Sequence, residues 1–323
     1  MYYLGIDLGG TNIKSSIFTN EFKLISQRRD DTYANKGSSV VLQRMLDNIN
    51  QLLKDTNVDK KDIVCIGIGV PGLLDRENGI SKFSPNFLDW ENVHVTGFFE
   101  SNLNIPTFID NDVRMNLYGE LYFGAARGKK NVVLLTLGTG LGSGVVIDGH
   151  VLYGATSCVG EIGHMNMYRS GRQCRCGSSG CLGRYVSAIG IVRTIKEKIE
   201  KGEKTILLEW TNNDVEKITA EMMSKAYDAG DKLSIDTFNE TGEILGFGLT
   251  NVINLYNPEI IVIGGGMSAA GERLLKRARE IINSHALKIS REVCQIVTSE
   301  LGDSSGMLGA AIYAKNELQN RNK

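Results

Sequence analysis

Three groups of side chains in this 323-residue sequence have the types and spacing of chemical sites. The first is Cys174, Cys176 and Cys181, with His164 ten residues upstream in the run Gly-Glu-Ile-Gly-His. Three thiolates and one imidazole are the donor set of a closed tetrahedral zinc site, which leaves no open position to activate water. The chain has six cysteines, and in a reducing compartment clustered thiols favour a metal over a disulfide. A structural Zn²⁺ on His164, Cys174, Cys176 and Cys181 is therefore expected. Cys65, Cys158 and Cys294 stand apart and read as buried apolar thiols.

The second group is Asp110-Asn111-Asp112, between the apolar run Ile105–Ile109 and Val113-Arg114. An acid at a strand end that opens onto a helix can take a proton from a hydroxyl. The same residues also suit an Asx-rich helix cap. The third group is a pair of glycine turns, one from Asp7 to Lys14 (DLGGTNIK) and one from Leu137 to Gly144 (LGTGLGSG), with a Gly264–Gly266 triplet further on. Glycine lets backbone N–H groups approach phosphate with no Cβ in the way. Asp7 could hold Mg²⁺, directly or through water. The first turn is not a Walker A loop, because neither Gly-Lys-Ser/Thr nor a helix follows it. Alone, it also fits an ordinary hairpin, and the triplet also fits a tight strand-to-helix turn.

The elements that must carry these groups recur. A strand over 2–7, the first glycine turn, a strand over 13–19 and a third over 23–28 precede an amphipathic helix over 39–55. Its apolar positions are Leu42, Met45, Leu46, Ile49, Leu52 and Leu53. A buried strand ending in Pro71-Gly72 follows. The same order returns as strand, glycine turn and strand over 132–148, a long helix over 234–256, and a strand ending in the glycine triplet. This resembles an internal duplication of a βββαβα unit, the alternative being chance similarity of two α/β segments. From Asp7 to Ile63 is 56 residues and from Gly138 to Ile261 is 123, so the second half holds about 67 more, and the cysteine cluster lies in that excess. The expected fold is α/β with two lobes. The first spans 1–115 and is joined by a C-terminal helix, 305–323. The second spans 116–304, with a zinc-binding insertion at about 150–210.

Bulk properties narrow the function. Composition is that of a globular chain, 42% hydrophobic and 23% charged. Net charge is -1 with no basic block, so no nucleic-acid footprint is evident. The longest uncharged run, Asn131 to Ile147, carries glycines and threonines that argue against a membrane helix. Met1-Tyr2-Tyr3-Leu4 leads straight into a strand with no signal-peptide pattern, and a cytoplasmic protein with no membrane partner is expected.

Taken together, DLGGTNIK, Gly69-Val70-Pro71-Gly72, Ser84-Pro85-Asn86, Asp110-Asn111-Asp112, LGTGLGSG, the Gly160–His164 run, the cysteine cluster, the glycine triplet and Gly306–Ala311 cover nearly the whole chain. In that order they resemble the ROK family of sugar kinases and repressors, and within it the bacterial ATP-dependent glucokinases. The resemblance implies two ribonuclease H-like lobes of the actin/hexokinase type. It also implies transfer of the ATP γ-phosphate to the 6-hydroxyl of a hexose, with glucose preferred over mannose or an N-acetylhexosamine. Asp112 would be the general base, and Asn86, Asn111, Glu161 and His164 would bind the sugar beside it. Asp7, Gly10, Thr11, Gly138, Thr139 and Gly140 would surround the phosphates and Mg²⁺, with Gly265 and Gly266 near adenosine. His164 would serve both zinc and sugar through its two ring nitrogens. A homodimer or homotetramer is implied as well. Family repressors carry a DNA-binding region before the first glycine turn, and with Asp7 so near the first residue none is expected here.

Two positions depart from the family pattern. Gly183 stands where relatives place a Glu that contacts the sugar, and Arg114 where many have Asn. Losing a charge-assisted hydrogen bond of about 1.5–3 kcal/mol would raise a sugar KM roughly 10- to 100-fold, or select another sugar. Arg184 offers no acceptor to replace it.

Overall fold

The computed structural model describes residues 1–322. In chain order its elements are β1 (Tyr2–Leu8), β2 (Asn12–Thr19), β3 (Leu24–Asp31), α1 (Ser38–Thr56), β4 (Ile63–Val70), β5 (Leu73–Asp75), β6 (Ile80–Phe83), β7 (Glu91–His94), α2 (Val95–Leu103), β8 (Thr107–Asn111) and α3 (Asp112–Phe123). There follow β9 (Val132–Leu137), β10 (Leu141–Ile147), β11 (His150–Val151), α4 (Gly183–Val186), α5 (Ala188–Glu200), α6 (Leu207–Trp210), α7 (Ala220–Asp228) and α8 (Lys232–Tyr256). The chain closes with β12 (Ile260–Gly264), α9 (Glu272–His285), α10 (Lys288–Val293), β13 (Gln295–Thr298) and α11 (Ser305–Arg321).

The chain forms two compact units. One holds residues 1–128, 153–159 and 300 onward, and the other holds 129–152 and 160–299. The duplication read from the sequence is present in their sheets. The first runs β3-β2-β1-β4-β8 and the second β11-β10-β9-β12-β13. In each, a hairpin pairs antiparallel while its first strand pairs parallel with the strand after the long helix. The helices before those strands stop the same way. Asn57 (φ 52°) ends α1 and Asn257 (φ 45°) ends α8, each in the left-handed conformation that Asn tolerates. The excess in the second half is the cysteine-bearing loop with α4 to α7, and α8 is the counterpart of α1. A small β5-β6-β7 sheet is extra to the first unit.

The division expected at 115/116 falls instead at 128/129, because α3 is bound to α11. A Cβ on Gly309 would lie 1.7 Å from the Met115 carbonyl oxygen, so the two helices meet backbone to backbone. A Cβ on Gly67 of β4 would likewise fall 1.8 Å from Ala310 O. The C-terminal helix thus packs on the first sheet and on α3, and a cut at 115/116 would pass through α3.

Candidate active site

In the first unit, strand register gathers the acids. Asp7 of β1 pairs with Gly69 of β4, which pairs with Asp110 of β8. The C-terminal ends of three parallel strands therefore lie level, where ligands bind in open α/β sheets. Asn111 Oδ1 accepts the Val113 amide at 3.0 Å and caps α3. Both sequence readings of this tripeptide thus apply at once: Asn111 is the cap, and Asp112 opens the helix with a carboxyl free of that task. What Asn111 can still offer a ligand is its amide nitrogen. Asp112 is only partly exposed. Desolvation, and next repulsion from Asp7, push it up to about 7, a value suited to a base at neutral pH.

Asp7 is also held above the usual carboxylate range, first by burial, with Lys14 pulling it back and Asp303 adding to the rise. Lys14, its cross-strand partner, forms an ion pair with Asp303 at 3.2 Å. The first turn of α11 presses on Asp7, since a Cβ on Gly306 would lie 3.2 Å from its carboxyl carbon. The Gly9–Thr11 turn is pinned by Thr32, whose hydroxyl donates to Gly9 O at 2.7 Å and whose amide donates to Thr11 O at 2.8 Å. Exposed Asn86 stands beside that turn, with its Cβ 3.7 Å from where a Gly10 Cβ would be. The first unit therefore brings together Asp7, Gly10, Thr11, Asn86, Asn111 and Asp112. Asp303 belongs to no sequence motif, and it and Gly306 of the Gly306–Ala311 run reach Asp7 only because α11 and the turn before it return to this sheet.

In the second unit, the second glycine turn and the glycine triplet are neighbours. Gly264 pairs with Thr136. Gly265, at φ 79°, has a conformation that favours glycine, and a Cβ there would fall 2.5 Å from Leu137 O. The turn is closed by Gly138 N donating to Gly140 O at 2.9 Å. Gly138 O accepts the Ala188 amide at 2.9 Å, which sets the start of α5 against the turn. Next to Thr139 opens a cavity of about 490 Å³, walled by Ile189, Val192, Arg193 and Lys196 of α5 and by Thr219. Sequence reading missed it because its walls come from three distant stretches.

Glu161 and His164 lie in and beside a single 3₁₀ turn, Ile162–His164. The turn is seated by Ser143, whose hydroxyl donates to Gly160 O and accepts the Ile162 amide. The ligand atoms of His164, Cys174, Cys176 and Cys181 all lie within 4.8 Å of one another. His164 Nδ1 is 3.7 Å from Cys174 Sγ, and Cys176 Sγ is 3.7 Å from Cys181 Sγ. A tetrahedral ion with bonds of about 2.3 Å has edges of about 3.8 Å, so the donor set fits zinc. Nδ1 faces the cluster and leaves Nε2 for another partner. Burial and the neighbouring thiols push Cys181 up to about 12, while the Ser178 amide and then Cys174 pull Cys176 down to about 7. Cys65 is buried as expected, but Cys158 and Cys294 are partly exposed, since Cys158 lies in the loop after β11 and Cys294 in the junction between α10 and β13 rather than in a core.

The zinc-type loop is tied to α5 by Arg172. It donates to the carbonyls of Arg184 and Gly190, to Thr194 and to Glu197 at 2.6–3.0 Å. Gly183 opens α4 in tight surroundings, where a Cβ would lie 3.3 Å from both Gly163 O and Leu141 Cβ.

The model of the ROK family matches residues 3–317. A glucokinase of Thermotoga maritima is 34% identical over 315 residues, 98% of this chain and 98% of that one. A xylose repressor of Caldicellulosiruptor bescii is 30% identical over 98% of this chain, which covers 78% of the repressor. Among solved structures, a ROK family glucokinase from Streptomyces griseus, in complex with glucose and AMPPNP, superposes with a TM-score of 0.84. It is 28% identical over 98% of this chain and 100% of that one.

Proposed function

The chain belongs to the ROK family and is a sugar kinase, and we propose that it transfers the γ-phosphate of ATP to the 6-hydroxyl of a hexose, glucose first. The observation that carries this reading is Asp112, a desolvated carboxyl held up to about 7 at the start of α3. Phosphoryl transfer asks little more of a protein than a placed acceptor, a base and charge neutralisation. In this reading Asp112 takes the proton of the attacking hydroxyl. Asn111, through its amide, and Asn86 hold neighbouring sugar hydroxyls, as do Glu161 and the Nε2 side of His164. Gly10, Thr11, Gly138, Thr139 and Gly140 receive the phosphates.

The 490 Å³ cavity beside Thr139 is of a size to take the nucleotide's base and ribose, with Gly265 and Gly266 near the adenosine. Mg²⁺ would be held through Asp7, and when bound it would neutralise phosphate charge. The fit is electrostatic: Asp7 is a partly exposed carboxyl whose charge is made costly first by desolvation and further by Asp303, and a divalent cation relieves that cost. Zn²⁺ would be held by His164, Cys174, Cys176 and Cys181 and would fix the imidazole that faces the sugar. A homodimer or homotetramer in the cytoplasm belongs to the same reading.

Gly183 weakens the hold on the sugar or widens the choice toward mannose or an N-acetylhexosamine, because no acceptor stands there. The likeness to a xylose repressor, of which this chain covers 78%, favours a second reading, a catalytically weak sugar-binding ROK protein. The test is sugar-dependent ADP release with glucose, mannose and N-acetylhexosamines, with polyphosphate as a second donor, on the parent and Asp112→Asn. Turnover in the parent that survives unchanged in the variant refutes the assignment of the base. Sugar binding by calorimetry without turnover favours the second reading.

A further inference from the structure

Arg114 is 6% exposed, and its partner Asp110 is fully buried. Arg114 Nε donates to Asp110 Oδ1 at 2.8 Å, and the same oxygen accepts the Asn111 amide at 2.7 Å. The ion pair therefore brackets Asn111 and Asp112. The other Asp110 oxygen accepts the Tyr153 hydroxyl at 2.7 Å, and that hydroxyl lies 3.0 Å from the Tyr118 hydroxyl. With both oxygens occupied, Asp110 is a framework group and not a second base. Arg114 has another arm, Nη1, which donates to the Ser157 carbonyl at 2.9 Å. The Arg76 and Arg114 guanidinium carbons lie 3.9 and 5.0 Å from the centre of the Tyr153 ring.

Tyr153 and Ser157 belong to the stretch 153–159, which packs with the first unit although the chain on either side of it belongs to the other. The stretch is a closed loop, since Val159 N donates to Tyr153 O at 3.2 Å. Ser157 sits at φ 58°, in the left-handed region. A non-glycine residue stays there only when its surroundings hold it. Glu161 follows two residues after the loop ends.

We propose that Arg114 is a positioning residue for phosphoryl transfer. One guanidinium fork fixes the backbone that carries Asn111 and Asp112 and, through the Ser157 carbonyl, the loop that leads into Glu161. The inference rests on the kinase reading above. Two directed donors from one planar group are what the geometry uses. A lysine keeps the charge beside Asp110 but supplies a single ammonium that cannot reach both acceptors in the same way.

The test uses the full chain and two variants, Arg114→Lys and the milder Tyr153→Phe, which removes only the hydroxyl bonded to Asp110. In Arg114→Lys, kcat falls at least tenfold and the hexose KM rises several-fold, while the ATP KM stays within twofold of the parent. Amide exchange across 153–164 quickens at least tenfold. Tyr153→Phe shows the same pattern, smaller, and decides the matter if Arg114→Lys does not fold. A purely structural role lowers the unfolding temperature alone. The proposal is overturned if a folded variant keeps kcat, hexose KM and 153–164 exchange within twofold of the parent. Should the parent turn over no hexose at all, the kinase reading fails separately. The exchange measurement then still decides whether Arg114 holds the loop, and unchanged exchange overturns it.

Discussion

Replacing Asp112 by Asn should remove activity and, at neutral pH, stabilise the protein. Both effects come from the same carboxyl. In the folded chain it is pushed from 3.8 up to about 7, by desolvation and then by Asp7. A folded value above the unfolded one means the native state prefers the proton. Stability is then full below about pH 4 and is lost as pH rises toward 7. About three pH units at 1.36 kcal/mol each give a cost of at most about 4 kcal/mol for holding the charged base at pH 8. The Asn variant escapes that cost. Its advantage should grow by about 1.4 kcal/mol per pH unit between about pH 4 and pH 7, then level off.

Urea unfolding of the ligand-free protein at several pH values measures this. Trp90, 2% exposed in the first unit, reports the transition, while Trp210, already 45% exposed, contributes little change. In the same variant, kcat should fall about 10²- to 10⁴-fold, the usual worth of a general base. The parent's kcat should climb as pH rises through about 7. A variant no more stable than the parent at pH 8, or one whose advantage does not vary with pH, refutes the electrostatic reasoning about this site.

Other outcomes follow from the second unit. Zinc analysis should find one ion per chain, and stripping it with a chelator should raise the hexose KM more than tenfold while the ATP KM holds, because His164 loses its anchor. Ile189→Trp fills the cavity beside Thr139, so it should raise the ATP KM at least tenfold, about 1.4 kcal/mol, and leave the hexose KM alone. Gly183→Glu restores an acceptor but must displace Leu141 or the Gly163 carbonyl by a few tenths of an ångström. A lower hexose KM with a lower unfolding temperature is expected, and an unchanged KM for every sugar removes Gly183 from the account of specificity.

The parts of the fold legible in the sequence were those encoded locally. Apolar spacing located α1 and α8, and glycine runs located both turns. Close cysteine spacing located the cluster whose ligand atoms the fold gathers within 4.8 Å. The sheet pairings then followed from the repeated element order. The parts that stayed hidden depend on residues far apart. The β5-β6-β7 sheet has short strands with exposed Leu73 and Phe83, so its pattern is faint. The third strand of the second sheet is only His150–Val151, too short for an alternation. Arg114 read as an oddity after the acidic tripeptide, because its meaning lies in Ser157, 43 residues away. The boundary at 128 depends on α11 returning to α3 through Gly309, which no local rule announces.

The central claim is that this chain places a phosphate on the 6-hydroxyl of a hexose with Asp112 as base. Carbon-13 NMR of the product made from labelled glucose and ATP tests it most directly. The account predicts a phosphorus coupling at C6, absent when Asp112→Asn replaces the parent. Phosphorylation at another carbon, or no sugar-dependent product from glucose, mannose or an N-acetylhexosamine, would contradict it.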